Sequence, residues 1–276
     1  MPSIESQALG RLYESKARRM KANPNLDRAT ILPLSEEEQS CAAEAPGVTY
    51  EDVNVRGRPG IWSSPVGLPL QSNANQQSVI LYIHGGGFSL GSPNSHRKLA
   101  AHLGRAANTE RGFPASQIVT AGDSAGGHLA TALALRIIKE QNKETRRPLP
   151  FNLENSFASM ARNDGFDKLV HRPQLDQLAA AYVAGMGASL RDPLVNPIYA
   201  DLEGLPPVYI AVGTHETLQD DSERFAELAR KAGVEVELEK ADEQQHVHVF
   251  MAGRAAEADF TIQNVARWLQ QKFSSI

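Results

Sequence analysis

Two glycine-rich turns, each set directly behind a short apolar run, constrain this chain more than any other feature. The first, His84-Gly85-Gly86-Gly87-Phe88, follows Val79-Ile80-Leu81-Tyr82-Ile83, and the second, Gly122-Asp123-Ser124-Ala125-Gly126, follows Ile118-Val119-Thr120-Ala121. Runs of this length, rich in β-branched residues and closed by glycine, read as buried strands. The second turn leads into Gly127-His128-Leu129-Ala130-Thr131-Ala132-Leu133-Ala134-Leu135, whose alanine and leucine content predicts a helix.

A strand, a sharp turn bearing a serine and then a helix is the nucleophile elbow of G-x-S-x-G hydrolases. Glycines flank Ser124 because such a turn is strained and leaves no room for side chains. The helix behind it aims its positive end and its unpaired N–H groups at the serine. The bare N–H groups of the first turn suit an oxygen that gains negative charge during acyl transfer.

The rest of the chain fits an alternation of strands and helices. Apolar positions at helical spacing (Ile4, Leu9, Leu12, Tyr13, Ala17, Met20) predict a helix over 4–22, stopped by Asn23-Pro24-Asn25. Residues 48–55 and 60–63 read as an antiparallel pair. Helices are expected over 95–107, 175–184, 222–232 and 255–273, and strands over 79–83, 117–121, 207–212 and 234–239. This order predicts an α/β fold with a mostly parallel central sheet flanked by helices. The chain has 276 residues, 41 % of them hydrophobic and 22 % charged, as in globular proteins. Its net charge of −4 offers no basic footprint for nucleic acid. No stretch is long and apolar enough for a membrane span or a signal core. The single cysteine, Cys41, excludes an intramolecular disulfide, suits a reducing, cytoplasmic setting and has no base beside it.

The two turns together resemble those of the hormone-sensitive-lipase-like esterases of the α/β-hydrolase superfamily, which carry HGGG and GDSAGG in this order. The resemblance runs nearly end to end through Arg191-Asp192-Pro193-Leu194, Asn196-Pro197, Tyr199-Ala200-Asp201-Leu202 and Gly204-Leu205-Pro206-Pro207. Within the family it is nearest to small-ester and lactone hydrolases of the monoterpene lactone hydrolase type. It implies an N-terminal helical cap over 1–45 and an α/β-hydrolase domain over 46–276. It also implies hydrolysis of short-chain acyl esters or lactones through an acyl-enzyme on Ser124, with no cofactor and no metal, and it is compatible with a homodimer. The alternatives are a non-catalytic small-molecule-binding homologue and an inactive truncated or mis-spliced chain.

A serine hydroxyl is a poor nucleophile until an imidazole takes its proton and a carboxylate holds that imidazole in the right tautomer. In this superfamily the order is serine, acid, histidine. For the histidine, His246 keeps the family's spacing to Ala232-Gly233-Val234 and Met251-Ala252-Gly253-Arg254, while His248 fits the local H-x-F pattern; His246 is favoured. The family's usual aspartate position holds His215, which makes Glu216, one residue on, the expected acid. Asp220 and Asp221 are alternates whose other role is to cap the helix from residue 222. Gly85, Gly86 and Ala125 are the expected oxyanion donors. His84 should order its own loop, and His96, His102, His128 and His171 read as surface positions. No His/Cys/Asp cluster has metal-ligand spacing.

The spacing of the two turns departs from the family. His84 stands only 40 residues before Ser124, where family members interpose a strand, an Asp-Tyr-Arg-Leu-Ala-Pro-Glu-like segment and a helix. A second break follows Pro148-Leu149-Pro150. The chain is therefore expected to lack the family's strands four and six, with deletions near 108–112 and 150–152. Strand four lies beside strand three, and strand six separates strand five from the acid strand. Loss of strand six would bring the acid strand about 4.8 Å nearer Ser124, well beyond the ~1 Å that catalytic geometry tolerates.

Overall fold

The computed structural model of the protein describes residues 1–23, 27–66, 78–107, 117–141, 157–186 and 199–274. Helix α1 (Ile4–Ala22) starts at Ser3, whose side chain accepts the Ser6 N–H, and ends at Asn23. Helix α2 (Arg28–Gln39), which the sequence pattern conceals behind Pro33, is capped by Asp27. Strands β1 (Val48–Val55) and β2 (Arg58–Pro65) form an antiparallel hairpin. Its Arg56-Gly57 turn has positive φ at both residues, the geometry that matches strand twist in two-residue hairpins.

Two parallel pairs carry the rest. Strand β3 (Val79–Ile83) pairs with β4 (Ile118–Gly122), and Ile83 lies opposite Gly122, so both glycine turns leave the pair at the same end. Strand β5 (Val208–Gly213) pairs with β6 (Val236–Ala241), and Gly213 lies opposite Ala241. The residues after each of those strands are thereby also brought side by side.

The remaining helices are α3 (Pro93–Ala107), α4 (Ala125–Gln141), α5 (Ser159–Arg162), α6 (Arg172–Met186), α7 (Gln219–Lys231) and α8 (Ala256–Phe273), with a 3-10 turn at His248–Met251. One core gathers Leu9 and Tyr13 of α1, Leu99 and Leu103 of α3, Phe250, and Ile262 and Leu269 of α8 against Ile80, Tyr82, Val119 and Ala121 of β3 and β4. A second joins Leu135 of α4 to Ala229 of α7, Leu202, Leu205 and Val234. Helices thus pack against these strands, although Leu81 of β3 and Ile118 of β4 stand exposed.

Removing strands four and six from the family's sheet leaves three pairs, and three two-stranded units are what stand among the described residues. Both breaks, near 108–112 and 150–152, fall outside the described residues. The expected one-place shift of the acid strand is not seen: β4 pairs with β3 and β5 with β6, and no ladder joins β4 to β5.

Candidate active site

The nucleophile side is built from the ends of β3 and β4. Ser124 has φ 51°, a left-handed conformation that costs a serine about 1–3 kcal/mol and recurs where strain serves function. The glycines around it allow the close approach of two backbones. A side chain on Gly126 or Gly122 would run into the Ile83 carbonyl oxygen, and one on Gly86, which has φ 113°, would run into that of Leu90. Gly126 and Gly127 donate to the Asp123 carbonyl. The N–H groups of Gly86, Gly87 and Ala125 meet no acceptor among the described residues.

Gly85 behaves differently from its expected role. Its N–H is given to Asp123 Oδ1 at 3.2 Å, which withdraws it from the set of free donors. The same oxygen accepts the Tyr82 hydroxyl at 2.8 Å and lies 3.3 Å from His96 Nε2. His96 also meets the Ser95 hydroxyl at 2.8 Å through Nδ1. Burial pushes the Asp123 carboxyl up, but His96, Tyr82 and the Gly85 N–H outweigh it and hold it below the usual carboxylate value. His96 is 2 % exposed and His128 4 %, so neither is the surface residue that its helical setting suggests. Phe88 stacks on Tyr182 at 4.3 Å and meets His128 edge-on. With Leu178 against Gly87, α6 forms an apolar wall beside the first glycine turn. His84 meets its neighbour's carbonyl, Gly85 O, at 2.8 Å.

The other side is built from the ends of β5 and β6. Glu216 Oε2 lies 2.6 Å from His246 Nδ1, and its Oε1 accepts the Gly213 N–H at 2.6 Å. Both side chains are buried. Burial alone would pull the imidazole's pKa down. The adjacent Glu216 carboxylate, helped by Asp167 and Asp123, carries it up to about 9. His246 Nε2 makes no hydrogen bond, to Ser124 or to any other group among the described residues. The structure therefore brings Glu216 and His246 together and leaves Ser124 unjoined to them.

His248 points elsewhere. Its Nε2 meets the Thr261 hydroxyl at 2.9 Å, and burial drives its pKa down to about 4 against Glu239 and Glu257. Helix α7 starts at Gln219 rather than at residue 222, and its N-cap, Leu218, has no side-chain cap bond. Asp220 instead takes the Ser159 N–H at 2.8 Å and pairs with Arg162, and Asp221 lies in the first turn of α7. Cys41 is only part-buried, and its thiol, pushed up to about 11 chiefly by burial, is a poor nucleophile.

Residues 157–170 contribute supports that the sequence motifs do not announce. Asn163 Nδ2 donates to the carbonyls of Thr214 and Glu216 at 3.0 and 2.7 Å. Ser159 Oγ donates to Thr217 O at 2.7 Å. Asp167, fully buried, accepts from the N–H and hydroxyl of Thr217 and from the N–H groups of Leu169 and Val170. The polar residues at 159, 163 and 167 recur every fourth position, the only sequence signal for this clamp. Among the described residues no group of three or more His, Cys, Asp or Glu could hold a metal ion, and no helix is long and apolar enough to cross a membrane.

The chain is similar to known proteins. The sequence profile of the alpha/beta hydrolase fold family matches residues 105–251. An acetyl-hydrolase of Streptomyces hygroscopicus is 33 % identical over 208 residues, covering 61 % of this chain and 67 % of that protein. Carboxylesterase NlhH of Mycobacterium tuberculosis is 31 % identical over 219 residues, covering 63 % and 67 %. The crystal structure of an esterase from the bacterial hormone-sensitive lipase family superimposes with a TM-score of 0.84 at 26 % identity, covering 99 % of each chain.

Proposed function

The chain belongs to the α/β-hydrolase fold family, in its hormone-sensitive-lipase-like branch, and we propose that it is a serine carboxylic-ester hydrolase acting through an acyl-enzyme on Ser124. The observation that carries the reading is the buried Glu216–His246 pair, whose free Nε2 is the atom a general base must keep available. Ser124 Oγ attacks the ester carbonyl carbon while His246 Nε2 takes its proton. Glu216 accepts the Nδ1–H and stabilises the imidazolium so formed. The N–H groups of Gly86, Gly87 and Ala125 bind the oxyanion, and Gly85 spends its own N–H in fixing the turn to Asp123. The imidazolium then protonates the leaving alcohol, and a water activated by the same Nε2 releases the acid. The missing Ser124–His246 hydrogen bond suits a free enzyme, in which such bonds tighten only on substrate binding.

Short acyl esters or lactones fit the wall of Leu178, Tyr182 and Phe88. Residues 1–45, with α1 and α2, form the cap of this site. A fluorophosphonate probe and p-nitrophenyl butyrate test the reading directly. Labelling and turnover are expected in the parent chain, and both are expected to fall by about 10⁴-fold or more in Ser124→Ala. A folded chain that binds the ester without Ser124-dependent labelling would be a ligand-binding homologue, and a broad, non-cooperative melt would mark a chain that does not fold as a unit.

A further inference from the structure

Helix α1 runs beside the loop that carries His246 and grips its residues in order. Ser6 donates its hydroxyl to the side chain of Gln244, Gly10 faces the Gln245 side chain, and the Tyr13 hydroxyl donates to the His246 carbonyl at 3.0 Å. Positions 6, 10 and 13 share one helix face, and they meet loop residues 244, 245 and 246 in the same order. Tyr13 is 1 % exposed. Burial, then Glu38, Cys41, Asp167 and Asp123, raises its pKa well above the ordinary value, so the hydroxyl keeps its proton and stays a donor.

The loop needs such a grip. Val247 has φ 52° and Glu243 φ 54°, left-handed conformations that a β-branched valine adopts only when its surroundings impose them. The Tyr13 hydroxyl binds the carbonyl of the peptide that joins His246 to Val247, the group whose orientation that left-handed turn sets. The Gln245 side chain that Gly10 faces also accepts the Lys168 N–H at 2.9 Å through Oε1 and donates to Phe166 O through Nε2, and Lys168 itself reaches Gly10 and Glu14 of α1. The residue just before the imidazole is therefore tied through its side chain to both α1 and residues 166–168.

We propose that α1 is a splint for the general base, with Tyr13 as the positioning residue that sets the His246–Val247 peptide and thereby aligns the imidazole with Glu216. The proposal deepens the esterase reading and rests on it for the role of His246. The covering helix and the catalytic loop become one mechanical unit, so disturbing α1 alters proton transfer even where it touches no substrate. The groups that face the imidazole are Glu216 from the β5 end, Asp167 from residues 157–170 and Asp123 from the elbow; Tyr13→Phe alters none of them.

The test is Tyr13→Phe in the full chain, read by the NMR titration of the His246 imidazole alongside the kinetics of p-nitrophenyl butyrate hydrolysis. The expected result is a His246 midpoint shifted to lower pH, kcat lowered about tenfold, KM within twofold and a cooperative melt. Ser6→Ala, at the far end of the same face, should shift the midpoint in the same direction by less, and it carries the test if Tyr13→Phe does not fold. An unchanged midpoint with only a lowered melting temperature would reduce Tyr13 to a core residue and overturn the proposal. A parent chain without turnover whose His246 midpoint still responds to these substitutions would sink the esterase reading and leave the splint standing.

Discussion

The β3–β4 half and the β5–β6 half of the molecule solve the same problem with different means. In the first, backbone conformation does most of the positioning: Ser124 at φ 51°, glycines that let two turns touch, and N–H groups left free. In the second, side chains do it: Glu216 and His246 are held by Asn163, Asp167 and the face of α1. No sheet hydrogen bond joins the two halves among the described residues. What joins them is apolar packing: one core sets α3 and α8 against β3 and β4, and a second joins α4 to α7 beside β5 and β6. The proposed reaction needs one atom from each half, Ser124 Oγ and His246 Nε2, to meet across that junction.

The largest effect should come from uncoupling the acid from the base. Glu216→Gln keeps a hydrogen-bonding group beside Nδ1 but removes the charge that favours the imidazolium, and kcat is expected to fall about 10⁴-fold, as for other triads that lose the orienting carboxylate. The pH profile gives the sign. A base must be neutral to work, so activity in the parent chain should rise with pH through a midpoint near 9, and in Glu216→Gln the residual activity should rise at lower pH. The same pair stabilises the fold fully below the imidazole's unfolded value of about 6.5 and loses that contribution as pH rises through about 9. An activity profile flat from pH 6 to 10 would break the assignment of His246 as base.

A smaller effect is expected from the other half. Asp123→Asn retains an acceptor for Tyr82 and Gly85 but removes the charge beside His96, and should cost about 1–3 kcal/mol in the melt. Because the Asp123 carboxyl is held below its usual value, its contribution is present above about pH 3.9 and is lost as pH falls through its folded value. The amide variant should therefore lose less stability on acidification than the parent chain does. Its His246 titration should move far less than in Tyr13→Phe. A large movement would show the two halves electrostatically fused and would undo the contrast between them.

The two halves are not equally legible in the sequence. The elbow and the oxyanion turn are short, contiguous and glycine-rich, because backbone strain admits few residue types, and each can be read from one stretch of chain. Glu216 is reached only as the nearest carboxylate to a position that holds His215, and His246 only through spacing, since side-chain clamps can be assembled from many residue types. The clamp residues Asn163 and Asp167 and the splint residue Tyr13 act across 53, 50 and 233 positions respectively, and nothing local marks such pairings. His96 reads as a surface residue because helical periodicity reports which face is apolar and is silent about a buried carboxylate partner. Helix α2 is hidden by Pro33, a residue that usually ends helices. The shortage of strands is legible from the 40-residue interval between His84 and Ser124, but the expected closing up of the acid strand toward Ser124 is not what the strand pairing shows among the described residues.

The smallest predicted effect separates the two histidines of the β5–β6 half. Both are buried within three residues of each other, yet burial wins at His248, driving it down to about 4, whereas the Glu216 carboxylate wins at His246. Between about pH 6.5, where the unfolded imidazole titrates, and about 4, the unfolded chain binds a proton that folded His248 refuses. Stability should therefore fall as pH drops across that window. His248→Gln preserves a partner for the Thr261 hydroxyl and should cost under about 1 kcal/mol at pH 7, leave kcat within twofold and flatten the acid side of the stability curve measured by thermal melts from pH 7 to 4. A His248 variant that lost turnover, with a His246→Gln variant retaining it, would move the general base to His248 and detach the catalytic loop from the splint that α1 provides.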